Sequence, residues 1–313
     1  YYQMTFNKPE FWDKKINILS LILYPFSLVF FIIVLLRKKL ILKKSFNIPI
    51  ICIGNIYLGG TGKTPASIYI AKELSRLRKK PAILRKFYAA HEDEYRLIKK
   101  NFKNLILNNN RQRGIREAER KKFNTIILDD GFQDYSIKKN FNIICFNHNQ
   151  LEGNGLILPA GPLRESLNSL KEVDLILING KKNVKFEKKI LRINKKLDIF
   201  YSNYKPVNSK QFRGKKLIAI AGIGNPNNFF KLLSDLNIRV EKKFIFPDHY
   251  QFKKSEILSI LKEAKRNNCE LIMTEKDYFK LKKFNLKSLN YLKLSFEIKN
   301  KRKFLNKILK IYD

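Results

Sequence analysis

The chain has 313 residues, 44% of them hydrophobic, and 64 Lys and Arg against 27 Asp and Glu, for a formal charge of +37. The hydrophobic share excludes a disordered polyelectrolyte, and the length allows one large core or two. The lysines are spread rather than clustered, so the charge reads mainly as compositional bias that also draws the chain to anionic surfaces. Cys52, Cys145 and Cys269 are far apart with neither paired spacing nor a neighbouring His, which argues against a disulfide framework or a zinc site and for a reducing compartment.

Residues 16–36, INILSLILYPFSLVFFIIVLL, carry no charge. At 1.5 Å per residue a helix of that length matches a hydrocarbon core of ~30 Å, which marks a membrane anchor. Phe11, Trp12 and Tyr24 suit an interfacial belt, and RKKLILKK (37–44) favours the cytoplasmic side, placing everything after residue 37 in the cytosol. Pro25 leaves a shallow hairpin or an interfacial helix open as alternatives. Residues 1–44 therefore form an anchor with a basic flank.

Next comes PIICIGNI (49–56), a short apolar strand, followed by a glycine-rich turn and a helix over 64–80. The turn and its flanks read GNIYLGGTGKTP (54–65). Consecutive backbone N–H groups wrap a phosphate chain only where side chains do not intrude, so Gly59, Gly60, Thr61 and Gly62 suit a nucleotide cradle. Lys63 would reach the terminal phosphates, and the Thr64 hydroxyl would hold Mg²⁺. The usual phosphate-loop pattern has a glycine where this chain has Tyr57.

Beyond it the expected order is strand 81–87, helix 94–102, strand 104–109 and helix 111–122, then strands 123–130, 141–146 and 173–180. Such alternation implies a doubly wound, mostly parallel α/β sheet of the phosphate-loop NTPase kind over residues 45–180. Asp129 and Asp130 end one of its strands, where nucleotide-handling folds place carboxylates that bind Mg²⁺. In LPAGPLRESL (158–167), Arg164 and Glu165 begin a helix after a rigid loop, and the arginine suits bidentate phosphate contact. Residues 181–215, with KKILRIN and DIFYSNYKPV, read as a β linker. Residues 216–313 read as a second, smaller α/β lobe, with strands LIAIAGIG, KKFIF, ELIMTEKD and YLKLSFEI. His249, in FPDHY, follows a strand of that lobe.

GNIYLGGTGKTP, ILDDGFQD, GNGLILPAGPLRESL, AIAGIGNPNNF, FPDHY and MTEKD, in this order behind an apolar helix, resemble the tetraacyldisaccharide 4′-kinase family of lipid A biosynthesis. The likeness runs from the anchor almost to the C-terminus, and the family's phosphate loop also lacks the first glycine. It implies transfer of the ATP γ-phosphoryl group to the 4′-hydroxyl of a tetraacylated disaccharide 1-phosphate, at the bacterial inner membrane with the catalytic part in the cytosol. ATP and Mg²⁺ are the implied cofactors, and the lipid A precursor and inner-membrane lipids the implied partners. Nucleic acid is not expected, since neither an aromatic RNA motif nor a helix-turn-helix accompanies the charge; no obligate protein partner is indicated.

By matching motifs, Lys63 and Thr64 carry over as phosphate and Mg²⁺ residues. Asp129, Asp130 and Gln133 carry over as metal and active-site groups, Arg164 and Glu165 lie near nucleotide and substrate, and Arg111 matches an arginine preceding the second helix. The family's general base, an aspartate in a GDE word assisted by the histidine of DHY, maps to Asp93 and His249. Between Arg85 and Asp93 this chain has only KFYAAHE, where the family carries a longer stretch that starts RGYG. A membrane-bound ATPase or switch would share the phosphate loop and the acidic strand end, but would need neither FPDHY nor the anchor; a degraded kinase that binds ATP but has lost turnover is the closer alternative, on account of the short 86–92 stretch.

Overall fold

Apolar runs without polar alternation form strands covered on both faces, the signature of a parallel sheet between helices. The computed structural model describes residues 8–247 and 250–313, without the side chains of Ala90 and Asp93; His249 therefore lies outside the described residues. The chain divides into a larger unit (8–87, 102–203 and 296–313) and a smaller one built from 88–101 and 204–295.

In the larger unit β1 (Ile50–Gly54), β2 (Pro81–Lys86), β3 (Leu105–Asn108), β4 (Thr125–Asp129), β5 (Phe141–Asn147), β6 (Leu175–Asn179) and β7 (Asp198–Pro206) join the late β12 (Leu294–Ile298). Their order is β12-β7-β6-β5-β1-β4-β2-β3. Ile50, Cys52, Leu84, Ile126, Leu128, Ile144 and Phe146 fill one face of this sheet. There they meet Ile115 and Ala118 of α4 (Arg111–Arg120) and Phe186 and Ile190 of α5 (Val184–Ile193). Ile51 and Ile53 alternate to the other face. Ile70 and Leu74 of α2 (Lys63–Arg76) are buried as well. From β1 the chain passes through α2 to β2 on one side, whereas β4 leads to β5 on the other side of β1. The carboxyl end of β1 is therefore a topological switch point, where ligands of such sheets bind. The apolar N-terminal segment is α1 (Ile18–Leu40), which belongs to this unit.

The smaller unit carries β8 (Leu217–Ala221), β9 (Val240–Ile245), β10 (Glu270–Thr274) and β11 (Leu289–Leu292) in the order β11-β10-β8-β9. Leu217, Ala219 and Ala221 face Phe229, Phe230 and Leu233 of α6 (Pro226–Asp235). Ile218 and Ile220 face Ile257, Ile260 and Ala264 of α7 (Lys254–Arg266) on the opposite side. Also in this unit are α3 (Glu92–Asn101) and α8 (Glu275–Leu281).

Three elements differ from the sequence expectation. KKILRIN lies in α5, because Phe186 and Ile190 stand one helical turn apart and are both buried, so the 181–215 stretch is not purely β. In ELIMTEKD the strand stops at Thr274, whose side chain caps α8 by accepting from Asp277 N at 3.2 Å. YLKLSFEI divides at Lys293 between β11 and β12. The closing basic helix is α9 (Lys301–Leu309).

Candidate active site

The loop after β1 is built from its own backbone restraints. Gly59 has φ 131° and Gly62, the residue before α2, has φ 91°, both in the region that favours glycine. The Asn55 amide donates to Tyr57 O at 2.5 Å and to Gly59 O at 3.2 Å, and Asn147, at the end of β5, donates to Gly60 O at 3.4 Å. A second strap comes from the LPAGPLRE segment: Leu58 N donates to Pro162 O at 2.8 Å and Arg164 N to Ile56 O at 2.7 Å. One sequence word thus holds the phosphate loop and delivers Arg164 and Glu165 beside it.

Tyr57, where phosphate loops usually have glycine, is fully buried. Its hydroxyl donates to Asp13 Oδ1 at 2.5 Å and accepts from Lys8. Burial and the Asp13 carboxylate push its pKa well up.

Asp129 ends β4 with no exposure and both oxygens engaged. Ser67 donates to Oδ1 at 3.0 Å, Thr64 to Oδ2 at 3.1 Å, and Arg85 forms an ion pair with Oδ2. Arg85 also donates to Thr64 Oγ1 at 3.1 Å. Asp130 follows in a left-handed backbone, φ 57°, which turns its side chain out of the strand direction. Its carboxylate lies 3.6 Å from Lys63 Nζ and accepts from Arg164 at 3.2 Å, while its carbonyl accepts from Arg111 at 2.6 Å. Burial pushes the Asp130 carboxyl up, but Lys63, Arg164, Arg85 and Arg111 outweigh it and hold the group well below the usual carboxylate range. Burial lowers Lys63, with Asp130 opposing that shift.

Behind this row, Gln133 donates to Asn55 O at 2.9 Å and to Glu165 Oε1 at 3.1 Å. Burial raises the Glu165 carboxyl, against hydrogen bonds from Tyr135 and Gln133. Arg111 reaches Asp134 at 3.3 Å as well.

The structure therefore gathers Lys63, Thr64, Asp129, Asp130, Gln133, Arg111, Arg164 and Glu165 around the carboxyl ends of β1 and β4, in the larger unit. Asp93 lies on α3, in the smaller unit, and its side chain is outside the described part, as is His249. The sequence reading missed Arg85, Ser67, Asn55 and Asn147. Arg85 carried no local signal: it lies one residue before the end of β2, and only the register of β2 against β4 pairs it with Asp129. Ser67 lies one turn after Lys63, and its hydroxyl also donates to Lys63 O at 3.1 Å.

These residues fit a triphosphate. A Cβ on Gly60 would meet no atom within 4 Å, so the loop backbone there is open to close approach. The Thr61 hydroxyl is buried without a hydrogen-bond partner. Four cationic side chains, Lys63, Arg85, Arg111 and Arg164, act on Asp130 and face the three carboxylates of Asp129, Asp130 and Asp134, a surplus that suits an anionic ligand. Among the described residues no group of three or more His, Cys, Asp and Glu stands ready for a metal. Thr64 with the two aspartates agrees instead with the Mg²⁺ habit of taking few protein ligands together with substrate phosphates.

Residues 19–313 match the family model described as tetraacyldisaccharide-1-P 4′-kinase. The chain is 36% identical to the tetraacyldisaccharide 4′-kinase of Pelagibacter ubique, over 98% of this chain and 99% of that relative. It is 34% identical to the enzyme of that name from Francisella tularensis subsp. novicida, over 92% and 98% of the two chains. Its fold is similar to that of LpxK from Aquifex aeolicus crystallised with ATP, with a TM-score of 0.72 at 24% identity over 95% of this chain and 100% of that one.

Proposed function

The chain belongs to the tetraacyldisaccharide 4′-kinase family, and from that membership we propose how its residues divide the work of an ATP-dependent lipid A kinase. The reaction moves the ATP γ-phosphoryl group to the 4′-hydroxyl of tetraacyldisaccharide 1-phosphate. Such transfer demands an in-line hydroxyl, neutralised phosphate oxygens and a group to accept the hydroxyl proton.

The amides of Gly59 to Gly62 and the Lys63 ammonium bind the β- and γ-phosphates. Thr64, Asp129 and Asp130 would hold Mg²⁺, which when bound neutralises phosphate oxygens. Arg164 and Arg111 steady the phosphate side of the site, and Glu165 and Gln133 brace the loop from behind. Asp93, assisted by His249, takes the proton from the acceptor hydroxyl; this assignment rests on the motif match alone. The acceptor is a membrane lipid, so α1 and the basic surface keep the enzyme at the cytosolic face of the inner membrane.

The observation that carries this reading is the meeting of Lys63 and Arg164 on Asp130, 3.6 Å and 3.2 Å away, directly beside a glycine loop at the sheet's switch point. The test is mass spectrometry of the lipid after incubating purified protein with ATP, Mg²⁺ and the disaccharide 1-phosphate. A product heavier by one phosphoryl group supports it. Release of free phosphate with unchanged lipid supports a membrane-bound ATPase instead.

A further inference from the structure

The sequence of α3 lies between β2 and β3, which are neighbours in the large sheet, yet its contacts put it in the smaller unit. A crossover helix ordinarily packs on the sheet whose strands it joins. At ten residues α3 is also too short to hold its form alone in water. What it docks against therefore sets its place, and among the described residues it packs on α8, the helix that opens in the MTEKD word.

Two ion pairs of opposite direction join these helices. Glu94 of α3 accepts from Lys276 of α8 at 3.4 Å, and Lys100 of α3 lies 3.6 Å from Glu275 of α8. The first pair is mostly covered by protein, where solvent screens it little. Lys100 also donates to the Tyr291 hydroxyl at 3.2 Å and stands over the Phe279 ring, 4.4 Å from its centroid. Glu94 and Lys100 are about 9 Å apart along the helix axis. Reversing α3 on α8 would set Glu94 against Glu275 and Lys100 against Lys276, so the charge pattern selects one orientation. At the entry to α3, the Tyr95 hydroxyl accepts from Tyr88 N at 2.6 Å and donates to Tyr88 O at 3.1 Å, and Glu94 lies 3.7 Å from His91.

α8 is itself pinned. Asp277, which has no exposure, accepts from Gly222 N at 2.9 Å, and Lys280 donates to Gly222 O at 3.1 Å and to Asp277 Oδ1 at 3.2 Å. MTEKD thus fixes its helix to the end of β8 through Asp277 and offers Glu275 and Lys276 to α3.

We infer that Lys276 and Glu275 are positioning residues of the kinase, which act through Glu94 and Lys100 to set where α3 carries Asp93. The inference rests on the reading of Asp93 as the base and leaves the phosphate-loop assignments untouched.

The test combines steady-state kinetics of lipid phosphorylation with amide hydrogen exchange on the full chain. Lys276→Met keeps the stem and removes the charge. It is expected to lower kcat about tenfold to a hundredfold, the scale of a small misplacement of a reacting group, with KM for ATP unchanged. Exchange should quicken in α3 and stay at the parental rate in α4. Lys276→Arg, which keeps the charge, should recover most of the rate. Parental kcat in Lys276→Met, or parental exchange in its α3, overturns the inference. Should Lys276→Met loosen the whole smaller unit, Glu94→Gln decides, since it breaks the same pair from α3: the same fall in kcat at constant KM supports the inference, and a parental kcat overturns it. Asp93→Ala is the separating arm. Normal turnover by Asp93→Ala overturns the base reading itself, whereas an inactive Asp93→Ala beside a Lys276→Met of normal kcat overturns only the positioning role.

Discussion

Arg85 and Asp129 are register partners on adjacent parallel strands, and their side chains meet as a buried ion pair beside Thr64 at the start of α2. With Thr64 and Ser67 also on Asp129, both oxygens of this unexposed carboxylate are engaged. Removing one partner leaves the other charge buried alone, which costs more than the pair contributes. Arg85→Ala should therefore destabilise the fold by about 3–5 kcal/mol in urea unfolding. Adding Asp129→Asn should recover most of that loss without restoring phosphorylation. A double variant as unstable as Arg85→Ala would show that packing of the arginine stem, not charge, sets the cost.

Lys63→Ala should reduce 4′-phosphorylation by roughly 10²–10³-fold or more, the scale seen when one preorganised electrostatic contact to a transition state is lost. Vesicle flotation should be unchanged, because Lys63 lies in α2, outside the apolar helix α1 and its basic flank. Asp93→Ala should show the same split between turnover and membrane binding. Near-normal product in the mass spectrum for Asp93→Ala would reject its role as base and leave the phosphate-loop assignments standing.

The glycines separate folding from binding. Gly60→Ala adds a methyl group that meets nothing within 4 Å, so Tm should hold while ATP affinity falls, the methyl entering the space reserved for phosphate. Gly54→Ala would place its Cβ 2.4 Å from Phe132 Cβ, forcing the DDGFQ turn to shift, and should lower Tm before any ligand is added. Gly62→Ala must adopt φ 91° with a side chain, at a cost of about 1 kcal/mol or more. Calorimetry with and without ATP distinguishes the three. Equal effects of Gly60→Ala and Gly54→Ala on Tm would refute the open cradle.

Much of this was legible in the chain because the signals were local. The both-face apolar runs gave the central strands, and the glycine turn followed by Lys63 and Thr64 gave the loop. DD after an apolar strand gave Asp129 and Asp130. What stayed hidden depends on pairing across the sheet. Arg85 is an ordinary charged strand residue until β2 lies beside β4, and Asn147 reaches Gly60 only because β5 flanks β1. Thr274 and Asp277 did carry a local helix-start pattern, but the apolar run before them masked it.

Acid should unfold the larger unit partly through Asp130. Its folded carboxyl titrates below the value of an unfolded aspartate, near 3.9. The stability it confers is therefore complete above about pH 4 and drains away as pH falls through the folded value. Asp130→Asn keeps a residue that tolerates the left-handed backbone, so it should flatten the acid limb of a Tm-against-pH curve without new strain. An acid limb as steep as that of the parent would assign the loss to other carboxylates.

Tyr57 shows why the missing first glycine is no defect. Gly59 and Gly62 adopt left-handed φ values, whereas Tyr57 is not among the residues that do, so the loop does not require glycine at that position. Its ring is fully buried, and its hydroxyl ties the loop to Asp13 and Lys8 ahead of α1. Tyr57→Gly should thus fail to tighten ATP binding and should cost about 3–5 kcal/mol, the usual scale for emptying an aromatic site. Tyr57→Phe keeps the ring and loses only the hydroxyl, so it should cost about 1 kcal/mol and leave ATP affinity within twofold. Paired unfolding and ATP titrations check both. Tighter ATP binding by Tyr57→Gly would mean that the tyrosine restrains the loop rather than supporting it.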